Sequence, residues 1–438
     1  MTDTPLPKRV DVAIVGAGTA GAAVAAFCAA EGMQVLCVDR THLDRAGARW
    51  VNGVPAAAFR RAGIEPPHGA ELRGEGERFH LIAGYGPARI VVSNHGVLEV
   101  DMRHLVARLQ TMAREYGATL RGDVGVFGAD GDSLTTTAGS VRAQFIVDAS
   151  GLNGAQLLRQ PKIPTQHICA AAQAVFEIAD RSAARAFFDR NMVPMGETCC
   201  FTGVAGGFSI VNVRSDGHTV SLLTGSIPAE GHPSGQKLLN AFANQHRWVG
   251  NKVFGGARAI PLRRPFDRLS DGRVALIGDA ASQVFPAHGS GIAANLIAAR
   301  LLADALSHGK GLNGYAVAWQ RSLGGTFACY DLFRRFSQQL TVADLEQMME
   351  HGLMDPKLTK FGLAQQLPRP PLLSLPRKLI GLARQPAVGA RLAAVAARMA
   401  AVRALYTRYP KDPKKLPQWS RRVAALFRDA PDVPDPMN

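Results

Sequence analysis

Three glycines near the start of the chain have the spacing of a phosphate-binding turn. They are Gly16, Gly18 and Gly21, in the stretch GAGTAG. In such a turn the first glycine permits the tight bend, the second lets the backbone approach a pyrophosphate, and the third lets a helix and a strand pack closely. Asp39 follows, at a distance where a carboxylate accepts hydrogen bonds from the ribose of adenosine. This spacing predicts an adenine dinucleotide and, by itself, does not separate NAD from FAD.

The segments around these glycines predict the elements that the turn requires. Val10 to Val15 form a β-branched run typical of a buried strand, an alanine-rich helical segment follows the glycines, and Gln34 to Val38 predict a second strand that ends at Asp39. The N-terminus of the helix presents unpaired N–H groups and the positive end of its dipole. The phosphates are therefore expected at this helix terminus.

A second group of chemically notable residues lies in RVALIGDAASQVFPAHGSGI, from Arg273 to Ile292. An apolar strand here ends in Gly278 and Asp279, and a carboxylate at the end of a buried strand costs free energy unless something hydrogen-bonds to it. Asp279 therefore requires a partner. Considered alone, the Asp-Ala-Ala sequence also fits a helix N-cap.

Together, these motifs resemble the flavoprotein superfamily typified by para-hydroxybenzoate hydroxylase. The resemblance implies that FAD is the cofactor, that Gly278-Asp279 binds its ribityl chain, and that Gly289-Ser-Gly291-Ile292 directs N–H groups at the N1/O2 edge of the flavin. It also implies that Arg103, before a predicted helix in EVDMRHLVARLQTMAREYGATLR, contacts FAD, although an ordinary surface arginine has the same pattern. The predicted cofactor-binding residues are Gly16, Gly18, Thr19, Ala20, Gly21, Asp39, Arg40, Arg103, Val126, Gly278, Asp279, Pro286, Gly289, Gly291 and Ile292.

The turn after the strand FIVDASG separates two branches of this superfamily. The hydroxylases carry Asp-Gly at this point, a motif tied to NADPH use, whereas this chain has Asp148-Ala-Ser-Gly151. That form, and the stretch ARWVNGVPAAAFRRAGIEPP at residues 48–67, are more similar to geranylgeranyl reductases, lycopene cyclases and flavin-dependent halogenases. The YxWxFP-type stretch of the reductases is replaced by GGFSIVNV from Gly206. Halogenation is disfavoured, because WxWxIP is absent and no lysine lies between Lys8 and Lys162.

The expected activity is that of an FAD-dependent oxidoreductase, a reductase or dehydrogenase, acting on a hydrophobic or carrier-tethered substrate. A single-component flavin monooxygenase is the alternative, and a non-catalytic flavin-binding protein is a further one. The electron donor, NADH or NADPH, is left open. No catalytic residue is assigned, but Trp50, Asn52, Pro286 and His288 are candidates for the face where the reaction occurs. His288 could act as a general acid or base, or could only cap the following helix.

The predicted fold is α/β, with a Rossmann-like FAD-binding domain, an antiparallel β-sheet substrate domain and a C-terminal helical region. The FAD-binding domain spans residues 1–154 and 266–335. The substrate domain spans residues 155–265, where polar and apolar residues alternate as in FSIVNVRSDGHTVSLLTGSI. Residues 336–438 form the basic, mostly helical C-terminal region.

Composition and charge narrow the class of protein further. The chain has 438 residues, of which 47% are hydrophobic, and six scattered cysteines with no metal-binding spacing. It has no long apolar run, and the N-terminal MTDTPLPKRV lacks the layout of a secretory signal. These features predict a cytoplasmic protein without a metal site.

Most of the net charge of +15 lies near the C-terminus, because residues 356–425 contain fifteen Lys or Arg against one acid, Asp412. A helix predicted at 388–406 carries Arg391, Arg398 and Arg403 beside an apolar stripe. The segment either packs on the core with a solvated basic face, or docks on an anionic membrane surface or an acidic carrier protein. Nucleic acid is disfavoured because the arginines are not interleaved with aromatic residues.

Overall fold

The computed structural model describes residues 5–368 and 386–434. Part of the basic segment, residues 369–385, therefore lies outside the described residues. Across the described ranges, no helix combines the length and the apolar character needed to cross a membrane.

The strands, numbered in chain order, are β1 (Arg9–Val15), β2 (Val35–Val38), β3 (Val51–Pro55), β4 (Leu72–Glu75), β5 (Arg78–Ala83), β6 (Arg89–Ser93), β7 (Val97–Asp101), β8 (Thr119–Arg121), β9 (Val126–Asp130), β10 (Ser133–Thr136), β11 (Gly139–Asp148), β12 (Ile168–Ile178), β13 (Thr198–Thr202), β14 (Ser209–Ser215), β15 (Thr219–Ser226), β16 (Val249–Pro261), β17 (Ser270–Asp271) and β18 (Val274–Leu276).

The α-helices of the described residues are α1 (Thr19–Ala30), α2 (Ala56–Ala62), α3 (Met102–Glu115), α4 (Arg181–Arg190), α5 (Gly235–Gln245), α6 (Ile292–Ser307), α7 (Gly311–Trp319), α8 (Gly325–Ser337), α9 (Val342–Glu350), α10 (Pro356–Leu363), α11 (Pro386–Thr407) and α12 (Leu416–Phe427). A π-helical turn, Gln320–Gly324, joins α7 to α8.

The first sheet has a parallel centre in the order β18-β11-β1-β2-β8, as the glycine motif predicts. Apolar strands and the alanine-rich α1 form its core: Ile14 and Ala25, for example, are fully buried. Strand β18 follows β12–β16 in the chain but pairs with β11 in this sheet. The chain therefore returns to this domain after those intervening strands. The predicted α/β fold with a Rossmann-like domain is confirmed.

The second sheet has the order β16-β12-β15-β14-β13-β5-β6. Its pairs are antiparallel except β13 with β5, in which Cys200 lies beside Leu81. The predicted antiparallel sheet is therefore present, but β5 and β6 come from residues before 155. The division of the chain at that residue stays a prediction, and these two strands do not follow it. A third, three-stranded sheet has the order β3-β7-β4, and its strands lie between β2 and β8 in the chain.

The C-terminal helices pack on the core instead of standing apart from it. Helix α11 covers the predicted segment, and its stripe of Val388, Val395 and Val402 is buried against α8. The guanidinium of Arg398 donates to the carbonyl of Leu426, and that of Arg391 donates to Gln339. Two of the three predicted basic residues of this helix are therefore engaged within the protein.

Candidate functional site

A cavity of about 400 Å³ opens where the carboxyl ends of the parallel strands meet. The loops that follow β1, β2, β11 and β18 all reach it, which is where open α/β sheets bind ligands. Of the predicted residues, those on its wall are Gly16, Gly18, Thr19, Ala20, Asp39, Arg40, Trp50, Asn52, Val126, Gly278, Asp279, Gly289, Gly291 and Ile292. Gly21, Arg103, Pro286 and His288 are not among the lining residues.

The first two glycines of the motif leave room that a side chain would fill. Gly16 has φ +102°, and a Cβ there would lie 2.5 Å from the carbonyl oxygen of Ala149. A Cβ on Gly18 would lie 3.1 Å from the Cα of Gly47, so two backbone segments nearly touch at the start of α1. The N–H groups of this first turn consequently face the cavity, where they can bind a diphosphate.

Gly21 contributes by packing and not by lining the cavity. A Cβ at this position would lie 1.7 Å from the carbonyl oxygen of Gly16. Helix α1 therefore sits against the turn more closely than any side chain would allow, which is the role expected of the third glycine.

Asp39 lies at the end of β2 and fixes the turn from the other side. One carboxylate oxygen accepts the N–H of Ala17 at 2.8 Å, and the other accepts from the N–H and hydroxyl of Thr41 at 2.9 and 2.8 Å. The side chain is only partly buried and lines the cavity. Its remaining acceptor capacity can bind the hydroxyls of a ribose.

Gly47 and Gln110 are two residues of this site that the sequence did not indicate. Gln110 is 4% exposed, and its amide nitrogen donates to the carbonyls of Ala17 and Leu43, each at 3.0 Å. It thereby ties the phosphate turn to the loop that carries Gly47. A glutamine in the apolar face of α3 was the available signal.

Asp279 lies opposite the glycine turn. Burial raises the pKa of its carboxyl, and the nearby Arg258 guanidinium opposes that rise. No hydrogen bond to this carboxylate occurs among the described residues. The turn before it is held by Gln283, which accepts the N–H of Gly278 at 2.9 Å and donates to Tyr315 at 2.8 Å. The carboxylate is thus positioned toward the cavity while its own acceptors remain available.

The start of α6 completes this wall. Gly289 has φ +75°, Gly291 is the N-cap, and the N–H of Phe285 donates to the carbonyl of Ser290 at 3.0 Å. The resulting bend aims the positive end of the α6 dipole at the cavity. Such a terminus stabilises negative charge on a bound group.

The residues around the cavity fit FAD in their chemistry. Two buried polar atoms on its wall, Asn295 Oδ1 and Trp50 Nε1, have no hydrogen-bond partner in the described part of the chain. Buried polar atoms ordinarily have partners. Together with Asp279, they offer two acceptors and a donor to a polar molecule that occupies the space between the two helix N-termini.

Arg103 does not line the cavity. Its guanidinium forms two hydrogen bonds to Asp101, at 3.0 and 2.6 Å, and lies 3.5 Å from the ring centre of Phe254. Asp101 neutralises its charge, and the planar face of the guanidinium packs on the Phe254 ring, so both are engaged within the protein. Its contact with FAD stays a prediction that this geometry does not support.

His288 is also not among the residues that line the cavity. Its ring packs 4.7 Å from that of Phe285, and burial lowers its pKa to about 4. The imidazole is therefore neutral near pH 7 and holds no proton to donate as an acid. This placement agrees with the alternative that His288 serves the loop before α6, while Pro286 is buried in the same loop.

Trp50 and Asn52 do line the cavity, and they are positioned from the second sheet. The amide oxygen of Gln173 in β12 accepts the N–H of Val51 at 3.2 Å, and its nitrogen donates to Ser221 at 2.6 Å. Gln173 is 1% exposed. A buried amide therefore fixes β3, and with it both side chains, against the substrate sheet.

Known proteins match this chain in sequence and in fold. A family described as the FAD binding domain matches residues 11–70. Digeranylgeranylglycerophospholipid reductase 1 of Methanopyrus kandleri is 27% identical over 78% of this chain and 93% of its own length. Menaquinone reductase of Mycolicibacterium smegmatis is 26% identical over 76% of this chain and 85% of its own length.

Among solved structures, a geranylgeranyl bacteriochlorophyll reductase-like protein of Thermoplasma acidophilum superimposes with a TM-score of 0.69. The match is 15% identical and covers 89% of this chain and 99% of that one, so it concerns the fold. The comparisons confirm the resemblance seen in the motifs. They also confirm FAD as the cofactor and an oxidoreductase as the class of enzyme.

Proposed function

We propose that this chain, an FAD-dependent oxidoreductase similar to the geranylgeranyl reductase and halogenase-like flavoproteins, reduces carbon–carbon double bonds in isoprenoid lipids. The observation that carries the proposal is the apolar wall beside the start of α6. Ile260, Val284 and Ile292 line the cavity there, and Ile260 also packs on a buried apolar cluster. That cluster consists of Cys169, Ala171, Phe208, Ile227 and Leu262. A hydrocarbon chain can approach the cavity along this wall without stranding a polar group.

The two relatives support an isoprenoid substrate. Both enzymes are named after molecules with polyprenyl chains, digeranylgeranylglycerophospholipid and menaquinone. The two enzymes differ in the head group that their names specify. The shared feature, an unsaturated branched hydrocarbon, is what we assign to the apolar wall.

The residues of this chain bind and orient the reactants, while reduced FAD supplies the hydride. The N-termini of α1 and α6 stabilise the negative charges of the cofactor, and Asp279 accepts hydrogen bonds from its hydroxyls. Reduction of a double bond also needs a proton at the second carbon. The Asn52 amide lies on the cavity wall and can hold a water molecule for this delivery, whereas His288 does not line the cavity.

The reaction is tested with the flavin reduced chemically under nitrogen, so that the natural electron donor need not be known. We expect a digeranylgeranyl glycerophospholipid in detergent to reoxidise the flavin and to gain two hydrogens per reduced bond by mass spectrometry. The fully saturated lipid is the control and should leave the flavin reduced. If reoxidation requires oxygen and the product gains an oxygen atom, the enzyme is a monooxygenase and the proposal is wrong.

We further propose that the enzyme meets its lipid at an anionic membrane surface through a C-terminal basic surface. This surface consists of Arg408, Lys411, Lys414, Lys415 and Arg422, all exposed. It differs from the predicted arginines of α11, two of which are bound internally. Each Lys or Arg near anionic headgroups adds about 1 kcal/mol of attraction.

The matched variants are Lys411→Gln/Lys414→Gln/Lys415→Gln and, as a control, Arg391→Gln. We expect the wild type to sediment with vesicles that contain anionic lipid and to dissociate in about 0.5 M salt. The triple variant should bind roughly 100-fold more weakly, and the control should bind like the wild type. Equal binding of wild type and triple variant would contradict a role for this surface. Capture by an acidic protein without vesicle binding would favour a carrier partner instead.

A further inference from the structure

The substrate sheet sends one cationic side chain into the FAD cavity. Arg258 lies on β16, the edge strand of that sheet, where it pairs with Ala171 of β12. Its side chain is exposed and lines the cavity, and its Nη2 donates a hydrogen bond to the carbonyl of Gly47. The bond crosses from the second sheet to the loop beside the glycine turn.

The position of Gly47 defines what Arg258 can reach. The Cα of Gly47 would lie 3.1 Å from a Cβ on Gly18, the glycine at which the backbone approaches a diphosphate. Asp279, across the cavity, lies close enough for the Arg258 charge to affect its carboxyl. The guanidinium therefore stands between the phosphate turn and the carboxylate that faces the ribityl chain.

A cation at this place would complement the charge of the cofactor. A dinucleotide diphosphate carries two negative charges, and the cations on the cavity wall are Arg40, Arg45 and Arg258. Arg40 and Arg45 follow Asp39 closely in the chain, on the side of the adenosine. Arg103 is engaged by Asp101 and by Phe254, which belongs to the same strand as Arg258.

We propose that Arg258, from the substrate sheet, binds the diphosphate of FAD. A guanidinium donates several hydrogen bonds in a fixed fork that matches phosphate oxygens. On FAD binding, the bond to Gly47 is supplemented or replaced by bonds to the phosphate. The cofactor then joins the FAD-binding domain to the substrate sheet. The inference rests on FAD as the cofactor and not on the identity of the lipid.

The test compares Arg258→Gln with Lys252→Gln, an exposed residue of the same strand. Apoprotein is titrated with FAD, with ADP and with riboflavin, which has no phosphate. We expect Arg258→Gln to weaken FAD and ADP binding by roughly 10- to 100-fold, as for loss of a charged hydrogen-bonding partner. Riboflavin binding should be unchanged, and Lys252→Gln should match the wild type for all three ligands.

Two further measurements keep the result clear. Arg258→Lys, which retains the charge without the fork, should recover part of the FAD affinity, and the melting temperature of each apoprotein reports whether the variant folds. Unchanged FAD affinity in Arg258→Gln would overturn the proposal, as would equal losses for FAD and riboflavin. Because none of these measurements uses the lipid, failure of the proposed reductase activity would leave this test intact.

Discussion

The FAD cavity and the C-terminal region are built by opposite means. Around the cavity, the groups that face the ligand are largely backbone N–H groups at two helix termini, and glycines make room for it. The C-terminal region is joined to the rest of the chain by paired side-chain charges: Arg263 pairs with Asp432 at 2.6 Å and Arg335 with Asp429 at 2.7 Å. One region leaves its polar groups available, and the other pairs them.

The charge pairing centres on Asp331 in α8, the helix on which α11 packs. Its carboxylate accepts from Arg334 at 2.7 Å, from Arg335 at 3.2 Å and from the N–H of Arg264 at 2.9 Å. Burial alone would raise its pKa, but the two guanidinium groups outweigh burial and hold it well below the usual range. The same chain therefore uses strict backbone geometry to bind a cofactor and charge pairing to close its core.

The largest effect on cofactor binding is expected from Gly21→Ala, which changes the glycine turn of the FAD cavity. The new Cβ would lie 1.7 Å from the carbonyl oxygen of Gly16, so α1 must shift away from the turn. We expect FAD binding to be lost, as measured by flavin fluorescence on titration. Gly32→Ala is the control, because nothing lies within 4 Å of the Cβ position of Gly32, although its φ of +80° strains any side chain there. It should cost about 1 to 2 kcal/mol of stability and keep the cofactor.

Asp331→Asn tests the charge-paired region. Arg334 is fully buried and would keep its charge without its counter-ion. We expect the free energy of unfolding to fall by about 3 to 5 kcal/mol, measured by urea denaturation of the apoprotein. The double variant Asp331→Asn/Arg334→Met should recover part of this loss. A loss below about 1 kcal/mol in the single variant would mean that the pair does not hold the region together.

The pH dependence of stability should come partly from His167, next to the same cluster. Its Nδ1 lies 3.0 Å from Nη2 of Arg334, and burial, with the charge of Arg335, lowers its pKa from 6.5 to about 4. The unfolded chain therefore binds the proton first, and stability is lost as the pH falls from 6.5 toward 4. The charged neighbours of the imidazole are Arg334, Arg335, Asp331 and Asp429.

His167→Asn retains an acceptor for Arg334 and removes the titration. The difference between wild type and variant in the free energy of unfolding should change by about 3 kcal/mol across that pH range. Urea denaturation at several pH values measures it. A difference that does not vary with pH would show that His167 titrates normally in the folded protein.

The smallest of these effects is expected from Asp279→Ala, which removes one acceptor from the cavity without moving its backbone. FAD should bind more weakly by about 1 to 3 kcal/mol, and the stability of the apoprotein should rise or stay constant, because a buried carboxylate is removed. Isothermal titration of apoprotein with FAD measures the first, and thermal melting the second. Unchanged FAD affinity would exclude Asp279 as a ligand of the ribityl chain.

The contrast between the regions also explains what could be predicted from the sequence. Gly16, Gly18 and Asp279 were recognisable because backbone geometry restricts which residues can stand at a turn. Gly47 and Arg258 were not, because they reach the site from loops and strands whose placement depends on packing across two sheets. The contacts of Arg103 could not be predicted for the same reason. Asp101 and Phe254 both contact its guanidinium, and only the folded chain brings Phe254 near.

The C-terminal region was predicted in outline only. The 3–4 spacing of apolar residues was enough to place a helix at 388–406, and the structure has α11 at Pro386–Thr407. The partners of its arginines, such as the carbonyl of Leu426 for Arg398, could not be read from spacing, because they lie on another helix. The presence of β5 and β6 in the substrate sheet was not predicted. Strand β5 enters it through a parallel pairing with β13, which the alternation of polar and apolar residues along each strand does not encode.

The pairing of Arg263 with Asp432, 169 residues later, has a consequence for the newly made chain. The glycine turn and Arg263 are synthesised before Asp432. Until Asp432 joins the fold, the buried guanidinium of Arg263 lacks this counter-charge, and we expect the core around it to stay hydrated. A premature stop before residue 432 should yield a product that proteases remove even though its nucleotide-binding turn is already encoded.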